Sequence, residues 1–198
     1  MTDFGKIHIT QKTGDEPITY HGETNGVKLI DFWKWDSSDI ISNSSRGRFA
    51  EFIVASALKI DFSTVRNEWN PYDLETPEGI KVEVKSASYL QSWSQKNYSP
   101  IAFSIKEAKC WDSATGVFSE TAKRHADIYV FCLLKHKDQL TLNPMNLEQW
   151  EFFVLPTETL NNYPGSKSSI TLSSLQKLTS AIVYPDLKQA IEMLTGKT

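Results

Sequence analysis

The stretch "YDLETPEGIKVEVKSAS", Tyr72 to Ser88, decides how this chain is read. From Ile80 onward the alternation is strict. Ile80, Val82 and Val84 fall on one face of an extended strand, and Lys81, Glu83 and Lys85 fall on the other. "TPEG" carries turn chemistry, with Pro77 and Gly79 at suitable places. A turn centred on Pro77 and Glu78 folds Asp73 back to lie roughly opposite Val82 and Glu83. Two carboxylates then stand close together beside one ammonium. Like charges on neighbouring strands destabilise the pair unless something compensates. A solvated, salt-bridged hairpin is one answer. A divalent cation is the other, because Mg²⁺ favours one or two carboxylates completed by water and substrate phosphate.

The rest of the chain bounds what such a site can serve. Its 198 residues suffice for one domain with a real core. Hydrophobic content of 40% and charged content of 23% are in the globular range. A net charge of −3 argues against a protein that coats nucleic acid through a positive surface, while leaving room for a locally basic cleft. Cys110 and Cys132 lack CxxC spacing, so neither a zinc knuckle nor a disulfide framework is expected. The N-terminus has no apolar leader, and no run approaches ~18 apolar residues. A soluble, cytoplasmic protein without a membrane segment is expected. The histidines at 8, 21, 125 and 136 have no ligand spacing, and there is no GxxxxGK[ST] or G-x-S-x-G.

Punctuation and periodicity divide the chain into elements. "KIHIT" and "PITYH" flank "QKTGDE" and read as an N-terminal hairpin. "LIDFWKWDSSD" is aromatic, then turn-like. Asn43, Ser44 and Ser45 offer caps to a helix over "RGRFAEFIVASALK". "STVRNEW" and "YDLE" read as short strands before the strand "IKVEVKSAS", and "IAFSI" as another. "ADIYVFCLL" is almost entirely apolar, as a central strand buried on both faces must be. "QWEFFVLP" is a further strand, and "LSSLQKLTSAI" and "DLKQAIEMLTG" are terminal helices, the latter capped by Asp186 and stopped by Gly196. The order is hairpin, helix, three-stranded meander, connector, two strands, helices. It describes one mixed α/β domain over residues 1–198, not a regular βαβ winding.

One more carboxylate draws notice. Glu51 lies in "RFAEFIVA", among apolar neighbours, where a charge needs a reason. A metal held by Asp73 and Glu83, with the Val84 carbonyl as a further ligand, can polarise a phosphoryl oxygen and lower the pKa of bound water. Lys85 can orient the attacking water or stabilise charge developing on phosphate.

These residues resemble the PD-(D/E)xK nuclease superfamily, the restriction endonuclease-like fold. The resemblance runs through "PYDL…GIKVEVKSAS" with "GRFAEFIVA" upstream. Glu83-Val84-Lys85 matches the ExK half. Pro71 to Asp73 departs from the family's pattern by one intervening residue. The chain is also similar to uncharacterised bacterial proteins of that fold through "EVKSASYLQSW", "ADIYVFCLL" and "QWEFFVLPT". The resemblance implies an αβββαβ core over about residues 44–134, with a mixed central sheet flanked by helices. The hairpin and the C-terminal helices would be additions. It implies Asp73 and Glu83 as metal ligands, Glu51 as a ligand directly or through water, and Lys85 as the catalytic lysine. The cofactor would be Mg²⁺, with Mn²⁺ as substitute.

The expected function is a metal-dependent endonuclease that hydrolyses DNA phosphodiesters with metal-activated water. RNA is the other nucleic acid the chemistry admits. A homodimer would supply two sites for the two strands of a duplex. The alternative is a catalytically inactive nucleic-acid-binding or scaffold protein of the same fold. Around the site, Gln91 shares the parity of Glu83 and Lys85 and either reaches phosphate or is an exposed amide. Tyr89, Trp93 and Tyr98, with Gln95, Lys96 and Asn97, either stack on bases or simply pack. Lys106, Lys109, Lys123, Arg124 and His125 either contact phosphate or form a solvated face. Asp127 more naturally caps a turn or pairs with Arg124 than binds metal.

Overall fold

The computed structural model describes residue 5, residues 7–112 and residues 115–196. The chain opens with β1 (Pro17–Tyr20) and β2 (Glu23–Lys28), an antiparallel pair, and continues into helix α1 (Leu29–Ser37). The hairpin exists, but its partners differ from expectation. "PITY" pairs with "ETNGVK" across His21-Gly22, both at positive φ, while residues 7–10 of "KIHIT" form no strand and Lys6 lies outside the described residues. The tight turn explains the choice, since Gly22 adopts positive φ at no steric cost. The aromatic segment is helical as far as Ser37, so the turn expected at its end begins only at Ser38. Asp31 accepts the Lys28 N–H at 2.9 Å and fastens the first turn of α1.

Helix α2 (Asn43–Ala57) follows where the spacing predicts it, but its N-cap is Ser42, and Asn43, Ser44 and Ser45, the expected caps, lie in its first turn. Its Ala50, Ile53 and Val54 are buried against the sheet. Strand β3 (Leu74–Glu75) is then short, and "STVRNEW" is loop rather than strand. The turn Thr76–Gly79 closes with a 2.9 Å bond from the Gly79 N–H to the Thr76 carbonyl, and Gly79 sits at φ +75°, where a side chain would be strained. Strand β4 (Lys81–Ser88) returns antiparallel to β3, with Leu74 opposite Val82.

From the end of β4 the chain leaves the sheet and comes back parallel to it. The crossover holds β5 (Ala102–Ser104) and a small hairpin of β6 (Trp111–Asp112) and β7 (Val117–Phe118). Strand β8 (Ile128–Leu134) pairs parallel with β4 over seven positions, and β9 (Trp150–Pro156) pairs antiparallel with β8. The central sheet is mixed, in the order β3-β4-β8-β9. Strand β5 pairs instead with β10 (Ser169–Thr171), which follows α3 (Thr157–Asn161). "LSSLQKLTSAI" yields only one helical turn, α4 (Leu172–Leu175), whereas α5 (Leu187–Thr195) is a full helix. Gly196 stops it in the left-handed conformation; Asp186 precedes it without a side-chain cap bond.

Two apolar layers enclose β8. Ile128, Val130, Cys132 and Leu134 face α2 and α5 on one side, with Val82 and Val84 of β4 and Phe152 of β9. Tyr129, Phe131 and Leu133 face Phe103, Phe153 and Ile170 on the other. Every β8 residue is buried, as its sequence requires. Each large side chain so buried contributes about 1.5–3 kcal/mol. Among the described residues, no helix is long and apolar enough to cross a membrane.

Candidate active site

Alternation along β4 places the acidic face. Glu83 and Lys85 stand opposite Tyr129 and Phe131 of β8, on the second apolar layer, and both are largely withdrawn from water. Their head groups form an ion pair. Burial pushes the Glu83 carboxyl above its ordinary value, the Asp73 charge adds to that, and Lys85 and His125 pull the other way. The pair is therefore not a relaxed salt bridge.

Asp73 arrives across the Thr76–Gly79 turn, as the spacing predicts. Its N–H donates to the Val82 carbonyl at 3.1 Å, which continues the β3–β4 ladder by one residue. Its Oδ2 accepts the Val84 N–H at 2.7 Å. One side chain and one backbone group thus lock Asp73 to the strand that carries Glu83.

Glu51 approaches from α2. It is 13% exposed at the side chain, and its Oε2 accepts a 2.6 Å bond from Arg66 Nε. Burial raises its pKa first; Arg66 opposes that shift and Asp73 adds to it. Arg66 also lies 3.6 Å from Asp73 and 3.8 Å from Glu68, which in turn binds Arg48 at 2.5 Å. Burial works against the Arg66 charge, but Glu51, Asp73 and Glu68 outweigh it and hold the guanidinium protonated.

Asp73 joins two cavities. One, of about 340 Å³, is lined by Arg48, Glu51, Phe52, Phe62, Arg66 and Asp73. The other, of about 290 Å³, is lined by Trp69, Tyr72, Asp73, Glu83, Lys109 and Trp111. Glu51 lines only the first and Glu83 only the second. Among the described residues, no three His, Cys, Asp or Glu side chains converge as a ready-made metal cluster. The donors stand in two overlapping sets, {Glu51, Asp73} and {Asp73, Glu83}, each already facing a cationic side chain.

The other candidates separate by their partners. Gln91 lies inside a network: its Oε1 accepts from Arg46, and its Nε2 donates to the Ser88 carbonyl and Ser99 Oγ. Arg124 is 1% exposed and spends its donors on the Ile105 and Lys167 carbonyls, Glu107 and Asn161. Both have structural work that the sequence does not disclose, and neither lines the two cavities. Trp93 and Lys96 line a separate cavity with Tyr98 beyond the end of β4. Lys123 is exposed and pairs by backbone with Ala108, while His125 Nε2 bonds the Ala108 carbonyl at 2.9 Å. That ladder holds the Lys109–Trp111 segment beside Glu83. Asp127 accepts the Lys81 N–H at 2.9 Å and ties β4 to the start of β8.

Sequence reasoning missed three cleft residues: Arg66, Trp69 and Trp111. All lie in stretches whose side-chain direction no periodicity sets. The local signal was an arginine two residues before Glu68 and four before "NPYD".

The chain belongs to a nuclease family. That family is the one described as bacteriophage T4 endonuclease IV, whose model matches residues 13–174 and so takes in every site residue discussed above. No curated protein matches the chain.

Proposed function

We propose that the protein is a metal-dependent endonuclease of PD-(D/E)xK type that hydrolyses DNA phosphodiester bonds in the cytoplasm. The observation that carries this reading is the Asp73–Glu83 pair. Two carboxylates, mostly withdrawn from water, are held against one strand beside Lys85, in a chain of an endonuclease family. A raised Glu83 pKa, driven by burial and by Asp73, is the electrostatic cost that a divalent cation would relieve. The donor set is all oxygen, which suits Mg²⁺ or Mn²⁺.

Asp73 and Glu83 would hold the ion, with the Val84 carbonyl as a further donor and Glu51 joining directly or through water. When bound, such an ion polarises a phosphoryl oxygen and acidifies a water ligand. The chain's own side chains do the rest. The Asp73 bond to the Val84 amide keeps its carboxylate from swinging out of the cleft. Lys85 places a positive charge two residues from Glu83 on the same face, where it stabilises charge building on the phosphate. Lys109, on the wall of the Glu83 cavity, supplies a second cation for the backbone. A homodimer would present two such clefts to a duplex.

A second reading has its own observation. Arg66 and Lys85 already neutralise the carboxylates, as they would in an inactive nucleic-acid-binding or scaffold protein. Incubation with supercoiled plasmid and with single-stranded DNA, in Mg²⁺, Mn²⁺ or EDTA, distinguishes the two. Cutting that needs the metal and disappears in Lys85→Ala is the expected result. DNA binding with no cutting in any metal, together with no Mn²⁺ binding, would favour the scaffold.

A further inference from the structure

Arg66 lines the cleft and has no part in the proposed chemistry. Arg66 comes from the loop between α2 and β3, and its guanidinium faces three carboxylates at once. Only the Glu51 contact, at 2.6 Å, is a hydrogen bond; Asp73 at 3.6 Å and Glu68 at 3.8 Å lie beyond that range. We propose that Arg66 is a stand-in cation that holds Glu51 and Asp73 until a divalent ion takes them over, and that the released guanidinium then binds the substrate phosphate. The inference rests on the reading of Asp73 as a metal ligand.

Three observations carry it. The first is the contrast with the buried arginines. As whole residues Arg124 is 7% exposed and Arg46 is 3% exposed, and each spends its donors on several hydrogen-bonded partners. Such arginines cannot leave. Arg66 is 37% exposed at the side chain, lines an open cavity and keeps its grip on Asp73 by charge alone.

The second observation is the charge balance. Within the ion-paired set, Arg48, Arg66 and Lys85 face Glu51, Glu68, Asp73 and Glu83, and the cavity walls add Asp61, Glu75 and Lys109, so carboxylates outnumber cations. A divalent ion shifts that balance toward positive, which favours an anionic phosphodiester. After metal loading the carboxylates no longer need Arg66, while the phosphate does. A planar guanidinium with five donors matches phosphate geometry.

The third observation is the order of binding energies that the geometry implies. Removing one positive charge from beside two ligand carboxylates removes a competitor for them. Arg66 must then weaken metal binding and strengthen substrate binding. A purely structural salt bridge would do neither.

Arg66→Gln keeps most of the side-chain length and drops the charge. Mn²⁺ alone is titrated calorimetrically into the wild-type protein, Arg66→Gln, Arg66→Lys and Asp73→Asn, after thermal melts show which are folded. Arg66→Gln is expected to bind Mn²⁺ about tenfold tighter than wild type, and Asp73→Asn to lose binding. Arg66→Lys, which keeps the charge without the planar fork, stays close to wild type. Should Arg66→Gln not fold, Arg66→Ala, which also removes the charge, carries the test, with tighter binding supporting the exchange and unchanged binding overturning it. In the cleavage-deficient Lys85→Ala background with Mn²⁺, adding Arg66→Gln is expected to weaken binding of a labelled DNA oligonucleotide about tenfold.

The failures are distinguishable. Mn²⁺ affinity that stays level or falls in Arg66→Gln, while Asp73→Asn abolishes it, overturns the stand-in and leaves the metal site intact. Mn²⁺ binding that survives Asp73→Asn, or is absent from every variant, overturns the site reading and this inference with it. Tighter Mn²⁺ with unchanged oligonucleotide affinity overturns the phosphate contact.

Discussion

The two sides of Asp73 are built differently. On one side Glu83 and Lys85 ride on β4, which is locked to β8 by seven consecutive paired positions. Their separation and direction follow from the pleat and cannot vary without a register slip, which would also turn Val82 and Val84 out of the core. On the other side Glu51 projects from a helix and Arg66 from a loop, and only side-chain contacts join them. One half of the site is rigid because a sheet enforces it. The other half is adjustable because one side-chain hydrogen bond and longer-range charge hold it. A nuclease needs both: fixed groups where bonds change and movable ones where ion and substrate enter.

Asp73→Asn strikes both halves at once and should have the largest effect. Cleavage is expected to fall by about 10³-fold or more, measured as plasmid nicking, since several kcal/mol of metal stabilisation goes with it. If activity survives, the two cavities do not share this residue functionally and the comparison fails. Lys85→Ala breaks only the rigid half. A loss of about 10²–10³-fold in turnover, with Mn²⁺ affinity retained or raised, would separate its role from that of the ligands. Glu51→Gln touches only the adjustable half, and a loss of about 10-fold to 100-fold is expected, largely recovered at high Mn²⁺. A loss as deep as that of Asp73→Asn would move Glu51 into the rigid set.

The smallest effect is on stability, and it has the opposite sign. Glu83 is held above its ordinary carboxylate pKa, so the folded protein accommodates its charge at a cost. Glu83→Gln should therefore raise the melting temperature of the metal-free protein by roughly 2–4 °C while abolishing cleavage. A fall in melting temperature would show that the Lys85 pair is net stabilising, and that this half of the site is ordinary architecture.

How much could be read beforehand depends on the range of the interactions. The β4 strand, its turn and the adjacency of Asp73 and Glu83 were legible because they depend on residues within about ten positions. Alternation gives direction, and proline and glycine give the reversal. The buried β8 was legible from its unbroken apolar run. The hairpin partner of "PITY" differs from expectation because "KIHIT" offers the clearer alternation, whereas the His21-Gly22 turn selects "ETNGVK". Strand β5 was found, but its partner was not; it joins β10 from sixty-odd positions downstream rather than the main sheet. Gln91 and Arg124 looked available because their partners, Arg46 and Asn161, are distant in sequence.

By itself, then, the sequence determined a mixed α/β domain, a central strand buried on both faces, and an Asp–Glu–Lys set on one hairpin. Those are consequences of period and turn chemistry, which act locally. Only the tertiary structure decided that Asp73 lines two cavities, that Glu51 meets it through Arg66, and that Arg124, a candidate phosphate contact by sequence, is an internal brace. Each of these depends on which loop passes over which edge of the sheet. Loop paths follow from packing and charge summed over the whole chain, and no local pattern records them.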